Sequence, residues 1–231
     1  MANDDRELRA RRLAMKHSGE DALEILRIAI KDEFLGRIAL VSSFGAESAA
    51  LLHLVAAIDK STPVIFLETG KHFAQTLSYR KKLAERLGLS DVRDIRPDET
   101  SLNARDPSGD LWKRDADACC TMRKVEPLMS ALGGFDAWIT GRKQFHGGGR
   151  INLPAFEAAP AHIKVNPLIR WTKSDIESFY AEHDLPAHPL TAQGYPSIGC
   201  WPCTHPAASG DDIRAGRWRG AAKTECGIHG R

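Results

Sequence analysis

The chain has 231 residues, 42% hydrophobic and 27% charged, and its 32 basic and 30 acidic side chains leave a net charge of +2. That length and apolar content suit one sizeable α/β domain with an appendage and exclude the disordered and fibrous classes. The near-neutral balance offers no global field to nucleic acid or a membrane surface, so any anion selectivity has to be local.

The opening stretch MANDDRELRARRLAMKHSGEDALEILRIAIKDEF mixes both charge signs. It lacks the apolar run of about 7 to 15 residues that a signal peptide needs. Nowhere does the chain reach the roughly 18 to 20 apolar residues of a membrane span. The expectation is a cytoplasmic protein with no membrane or nucleic-acid partner, in which clustered cysteines mean metal or redox chemistry rather than a disulfide framework. Leu23, Leu26, Ile30 and Phe34 recur at helical spacing and predict an amphipathic helix over residues 20–35. RIALVSS then predicts a buried strand, a glycine turn at Phe44-Gly45 follows, and AESAALLHLVAAI predicts a helix packed back on the strand. TPVIFLETG predicts a second strand, and AQTLSYRKKLAERLG a helix closed by Gly88. DVRDIRP and FDAWITG predict a third and a fourth strand. Such alternation implies a doubly wound, mostly parallel sheet with helices on both faces, whose ligands bind beyond the carboxyl ends of the strands. SSFGAES, LETGK and TGRKQFHGGGR are expected on that edge.

Beyond about residue 165 the pattern loosens. WTKSDIESFYAEHDLP predicts a helix capped by Thr172 or Ser174 and ended before Pro186. The stretch AHPLTAQGYPSIGCWPCTHPAASGDD is too rich in Pro and Gly for long regular elements and needs something other than a core to fix it.

The five cysteines fall into three groups: Cys119-Cys120, Cys200-Trp201-Pro202-Cys203, and Cys226 alone. Two close pairs give a tetrathiolate set suited to an iron–sulfur cluster or structural zinc. Adjacent helical side chains point about 100° apart. The separate iron corners of a [4Fe-4S] cluster accommodate Cys119 and Cys120 better than one zinc ion does. SSFGAES, with Ser42, Ser43 and Gly45, combines a strand end, a turn and a helix start, whose backbone N–H groups and hydroxyls form an anion cradle. If its segment is helical, Lys124 lies one turn beyond Cys120, on the same face. DIRAGRWRG brings Arg214, Arg217 and Arg219 together with Trp218, and guanidinium groups take phosphate or sulfate in bidentate fashion. Cys226, on a polar, Gly-rich tail with Lys223 and His229 nearby, has the surroundings of a reactive thiolate and is the candidate nucleophile.

Taken in order, SSFGAES, LETG, CCTMRKVEPL, NPLIRWT, GYPSIGCWPC and ECGIH resemble the assimilatory adenylyl-sulfate reductases, relatives of the phosphoadenylyl-sulfate reductases, over nearly the whole chain from about Ile38 to His229. Glu68 stands where that family's turn carries Asp. The resemblance implies an adenine-nucleotide-binding fold similar to the ATP pyrophosphatases, with SSFGAES as a modified phosphate loop. It implies a [4Fe-4S] cluster on Cys119, Cys120, Cys200 and Cys203, with Cys226 as nucleophile. Implied substrate contacts are Ser43, Leu67, Lys124, Gly141, Arg214, Arg217 and His229, with Arg142 and Arg150 on the sulfate side. The implied reaction reduces adenosine 5′-phosphosulfate to sulfite and AMP in sulfate assimilation and cysteine biosynthesis, with thioredoxin or glutaredoxin as reductant and a homo-oligomeric enzyme. A phosphoadenylyl-sulfate or dual-specificity reductase, an ATP-dependent sulfurtransferase and a zinc-stabilised nucleotide-binding module are the alternatives. The expected division is an N-terminal helical segment (1–35), a nucleotide-binding α/β domain (36–185) and a cluster-binding segment with the catalytic tail (186–231).

Overall fold

The computed structural model of the protein describes residues 3–147, 150–208, 212–219, 223 and 225–229. Gly148 and Gly149 of the glycine run lie outside them. Six short strands form one sheet: β1 (Ile38–Val41), β2 (Val64–Leu67), β3 (Val92–Ile95), β4 (Ala137–Ile139), β5 (Phe156–Ala158) and β6 (Ile163–Val165), in the order β3-β2-β1-β4-β6-β5. All neighbours pair in parallel except β5 and β6. The doubly wound, mostly parallel sheet expected from the alternation is present. The last two strands escape the sequence reading, because three residues such as Ile163-Lys164-Val165 are too few to show a period.

Side-chain alternation along the strands builds two cores. Ile38, Leu40, Val64, Phe66, Ala137 and Ile139 belong to the larger cluster, which also takes in buried residues of α1 (Asn3–Lys16), α2 (Ala22–Arg27), α3 (Ser48–Ile58), α4 (Ala74–Leu87) and α9 (Lys173–Glu182). Ala39, Ile65, Leu67 and Trp138 point the other way, into a cluster with Leu128 of α8 (Glu126–Ala131). Both faces are therefore covered, as a parallel sheet requires.

The helix expected over residues 20–35 is not one regular helix. After α2 the chain passes into π-helical turns, Ile28–Glu33, where Phe34 N–H reaches back five residues to Ala29 O at 3.1 Å. The wider turn resets the helical phase, so Ile28, Ala29 and Ile30 are all buried while Leu23 is 46% exposed. Gly88 closes α4 at φ 67°, in the left-handed region. Thr172 starts α9 through a reciprocal capping box with Asp175.

In the sheet order, β1 lies between β2 and β4, so the connections leaving β1 and β4 run to opposite sides. In open α/β sheets this reversal opens a crevice at the carboxyl ends of the strands. The segments after β1, β2 and β4 all meet there.

Candidate active site

At the end of β1, Ser42 N–H still donates to Ile65 O at 3.0 Å, and its hydroxyl then accepts from Phe44 N–H at 3.2 Å. The positive φ of the turn, 48°, falls on Phe44 and not on the glycine. Phe44 tolerates it because its ring is fully buried edge-on against Phe66, with centroids 5.7 Å apart. Gly45 serves a different need: a Cβ there would stand 3.2 Å from Ser43 Oγ and 3.3 Å from Ile198 O. Neither serine caps α3. Instead Tyr180 Oη, from α9, accepts from Ala49 N–H at 3.1 Å and donates to Ala46 O at 3.0 Å. Ser43 is left exposed at the mouth of a cavity.

That cavity, of about 230 Å³, gathers every substrate and nucleophile position expected from the sequence. Ser42, Ser43 and Gly45 come from the loop after β1, Leu67 from the end of β2, and Gly141, Arg142 and Arg150 from the segment after β4. Lys124 enters from the cysteine helix, and Arg214, Arg217, Cys226 and His229 from the far end of the chain. Among the described residues lining it, Lys124, Arg142, Lys143, Arg150, Arg214 and Arg217 face only two carboxylates, Glu47 and Glu225. A chain of almost no net charge thus concentrates positive charge at one place, which suits a polyanionic ligand.

Not all of these cations are open to a ligand. Arg142 is buried and ion-paired to Glu157, with a second contact to Asn166 Oδ1 at 3.1 Å. Arg150 donates to His146 Nδ1 at 3.0 Å and to Glu225 at 2.5 Å. The unexpected member is Glu47. It meets Lys143 at 2.8 Å and His146 Nε2 at 3.1 Å. Burial pushes its carboxyl up, but His146 and Lys143 outweigh that and hold it at about 2. Both partners lie in segments singled out from the sequence, yet only folding shows that a lysine 3% exposed pairs with the loop after β1.

The two segments that carry the cysteine pairs are neighbours, and both act on Lys124. Beyond α5 (Glu99–Arg105) and α6 (Leu111–Arg114), Cys119 and Cys120 end α7 (Ala116–Cys120), whose first turn is capped by Asp115, and a π-helical turn, Thr121–Val125, follows. Single π-turns within helices recur at functional sites. Arg123, within it, is buried, pairs with Asp106 at 2.6 Å and donates to Thr69 O at 2.8 Å. Cys200 bridges to His72 in the chain just after the LETG turn, Trp201 N–H donates to Lys71 O at 2.8 Å, and Thr69 Oγ1 lies 3.3 Å from Cys200 Sγ. The LETG turn therefore ties the CxxC segment to the cysteine helix. All five cysteines are free of disulfides. Burial pushes the thiols of Cys119 and Cys203 up, and that of Cys120 to about 11. At Lys124, burial works against the charge, but Cys200, Cys226 and Cys120 outweigh it and raise the ammonium above the ordinary lysine range.

Among the described residues, no three His, Cys, Asp or Glu side chains stand in an arrangement that could hold a metal ion. The fit to a cluster rests on the donors. Four buried or half-buried thiols from two segments act electrostatically on one another, Cys119 with Cys200 and Cys203, and Cys120 with Cys200. Such a soft, electron-rich set is what iron–sulfur clusters bind.

The tail is sheltered, contrary to its composition. Cys226 is half-buried against the cavity. Glu225 bonds Arg150 and also reaches Arg214 at 3.4 Å, and Lys223 pairs with Asp117. Trp218 is buried at φ 47°, with Arg217 4.4 Å above its ring. His229 stacks on Trp138. Its burial, helped by Arg142, Arg150, Lys164 and Arg214, drives its pKa well below the usual histidine value. It lines the cavity as a neutral ring, so the positive charge around Cys226 comes from the Lys and Arg side chains.

A family model described as the phosphoadenosine phosphosulfate reductase domain matches residues 37–206. The adenosine 5′-phosphosulfate reductase of Mesorhizobium japonicum is 50% identical over 224 residues, covering 94% of this chain and 88% of that protein. That of Chelativorans sp. is 50% identical over 228 residues, covering 97% and 92%. The adenosine 5′-phosphosulfate reductase 1 of Bacillus subtilis is 39% identical over 211 residues, covering 90% of each. Among solved structures, phosphoadenylyl-sulfate reductase from Candida auris in a phosphate complex superposes with a TM-score of 0.70 at 26% identity, covering 85% of this chain and 96% of that one. The FMN adenylyltransferase of Candida glabrata shares the fold alone, at a TM-score of 0.56 and 15% identity over 91% of this chain and 77% of that one.

Proposed function

The chain belongs to the phosphoadenosine phosphosulfate reductase family and is an oxidoreductase, and from that premise we propose that it reduces adenosine 5′-phosphosulfate to sulfite and AMP in sulfate assimilation, through a covalent intermediate on Cys226. The observation that carries this reading is the meeting of Cys226 with six Lys and Arg side chains in one cavity at the carboxyl ends of the strands.

The nucleotide lies across the loop after β1 and the ends of β2 and β4, in contact with Ser42, Ser43, Gly45, Leu67 and Gly141. Cys226 attacks as the thiolate on the sulfur of the substrate. An S–S bond forms, the bond from sulfur to the bridging phosphate oxygen breaks, and AMP leaves with the bonding pair. Lys124, Arg214 and Arg217 face the charge that grows on the leaving phosphate, so their attraction strengthens toward the transition state. On the sulfate side Arg150 orients the group under attack, and Arg142, held behind it by Glu157, adds positive charge without a contact of its own. A thioredoxin thiolate then attacks Cys226 Sγ and sulfite departs. The second thiol of thioredoxin resolves the mixed disulfide and returns Cys226 as a thiol. Two electrons pass from dithiol to sulfur, which falls from the sulfate to the sulfite oxidation state. For the second half, the tail leaves the cavity so that a protein partner reaches Cys226.

Cys119, Cys120, Cys200 and Cys203 would hold a [4Fe-4S] cluster. When bound it would pin the CxxC segment and set its charge beside Lys124.

The test is an intact mass after mixing the protein with adenosine 5′-phosphosulfate in the absence of reductant. An SO₃ adduct on Cys226 is expected, removed by reduced thioredoxin, with Cys226→Ser showing neither adduct nor turnover. Normal turnover by Cys226→Ser would sink the mechanism.

A further inference from the structure

Lys164 lies in β6, an interior strand of the sheet, and is only 2% exposed. Lysine almost never disappears from solvent unless something holds its charge. The neighbouring carboxylate, Glu157, is 3.7 Å away and already engaged by Arg142. The short contact of the ammonium is with the far end of the chain, where Nζ donates to the backbone oxygen of His229 at 2.7 Å.

Trp138 is the residue opposite Lys164 in the β4–β6 register, and Nζ lies 6.0 Å from its ring. The imidazole of His229 stacks on that same indole, 5.4 Å between centroids and 6° between planes. Ile228 packs on the apolar cluster to which Trp138 belongs. One cross-strand pair therefore receives the carbonyl and the ring of His229, while Ile228 packs on the cluster around Trp138. The neutral state of His229 fits a ring surrounded by cations.

We propose that Trp138 and Lys164 form the docking site for the chain's own Cys226-bearing tail, and that Lys164 is a positioning residue which sets Cys226 over the cavity through the His229 carbonyl. The catalytic consequence rests on the reading of Cys226 as nucleophile, whereas the docking does not.

The rate at which N-ethylmaleimide alkylates Cys226 in the full-length, substrate-free protein, followed by peptide mass mapping, reports docking directly. Loss of a charged donor to a buried carbonyl should speed alkylation about tenfold or more in Lys164→Met, while Lys164→Arg, which keeps a donor, stays near the native rate. His229→Ala, altered only on the tail, should also react faster, and it decides the matter should Lys164→Met lose its cooperative melt. In single turnover, Lys164→Met should form the SO₃ adduct more slowly by a similar factor, yet release sulfite to thioredoxin without delay. Native alkylation rates in both Lys164→Met and His229→Ala would overturn the proposal. A native protein that forms no adduct, while alkylation still responds to these substitutions, would remove the reductase mechanism and leave the docking site in place.

Discussion

His188 is fully buried, and its two ring nitrogens are committed. Nδ1 accepts from Leu190 N–H at 3.1 Å, so Nε2 carries the proton and faces Thr76 Oγ1 at 3.0 Å. A second proton on Nδ1 would break the first bond and bury a charge. Burial accordingly depresses the pKa to about 4. The unfolded chain takes up this proton near its ordinary value of about 6.5, so the neutral ring contributes stability above that pH which is lost as the pH falls toward about 4. The loss amounts to as much as about 3 kcal/mol. Urea unfolding between pH 7.5 and 4.5 should show it, and His188→Gln should flatten the curve. His53, depressed by burial and by His183, shifts in the same direction. At this scale the sequence marks reactive types well. Cysteines and clustered arginines stand out, whereas Glu47, Lys143 and Lys164 look like ordinary surface charges until burial and a partner give them meaning.

Among the elements, those with a local signal are legible. The sequence offers Thr172 or Ser174 as the cap of α9, and the structure uses Thr172, in a capping box with Asp175 N–H donating to Thr172 Oγ1 at 3.2 Å and Thr172 N–H to Asp175 Oδ2 at 2.7 Å. Thr172→Ala should cost about 1 kcal/mol, and lower the thermal midpoint by about 2–4 °C, as calorimetry would measure. The effect reaches the site, because α9 carries Tyr180, whose hydroxyl takes the place of a cap at the start of α3. The two π-helical turns, after α2 and after α7, have no comparable signal. Each depends on which side chains the neighbouring elements accept, and periodicity assumes one fixed turn.

Over the whole molecule, the cavity joins segments from Ser42 to His229. Its walls are set by the reversal of direction at β1, and its remaining side is closed by the CxxC segment and the tail. If four cysteines hold a cluster, the purified protein should carry about four iron and four sulfide per chain. Serine at Cys119, Cys120, Cys200 or Cys203 should lower that content and loosen the segment around Trp201, as iron analysis and limited proteolysis would report. Serine at Cys226 should leave the iron in place. An iron content unaffected by substitution at any of the four would reject the ligand set.

By itself the sequence determined the alternation that yields a parallel sheet, the edge on which the cavity opens, the grouping of the cysteines and the family. These follow from local periodicity, turn chemistry and residue type, which neighbours along the chain decide. Only the tertiary structure decided that Phe44 and not Gly45 takes the strained turn, that Glu47 anchors Lys143, that His229 is neutral, and that the polar tail is docked rather than stranded. Each of these depends on burial or on a partner far along the chain. A charge on a short polar segment costs nothing in water, and it acquires a required partner only once folding removes the water around it.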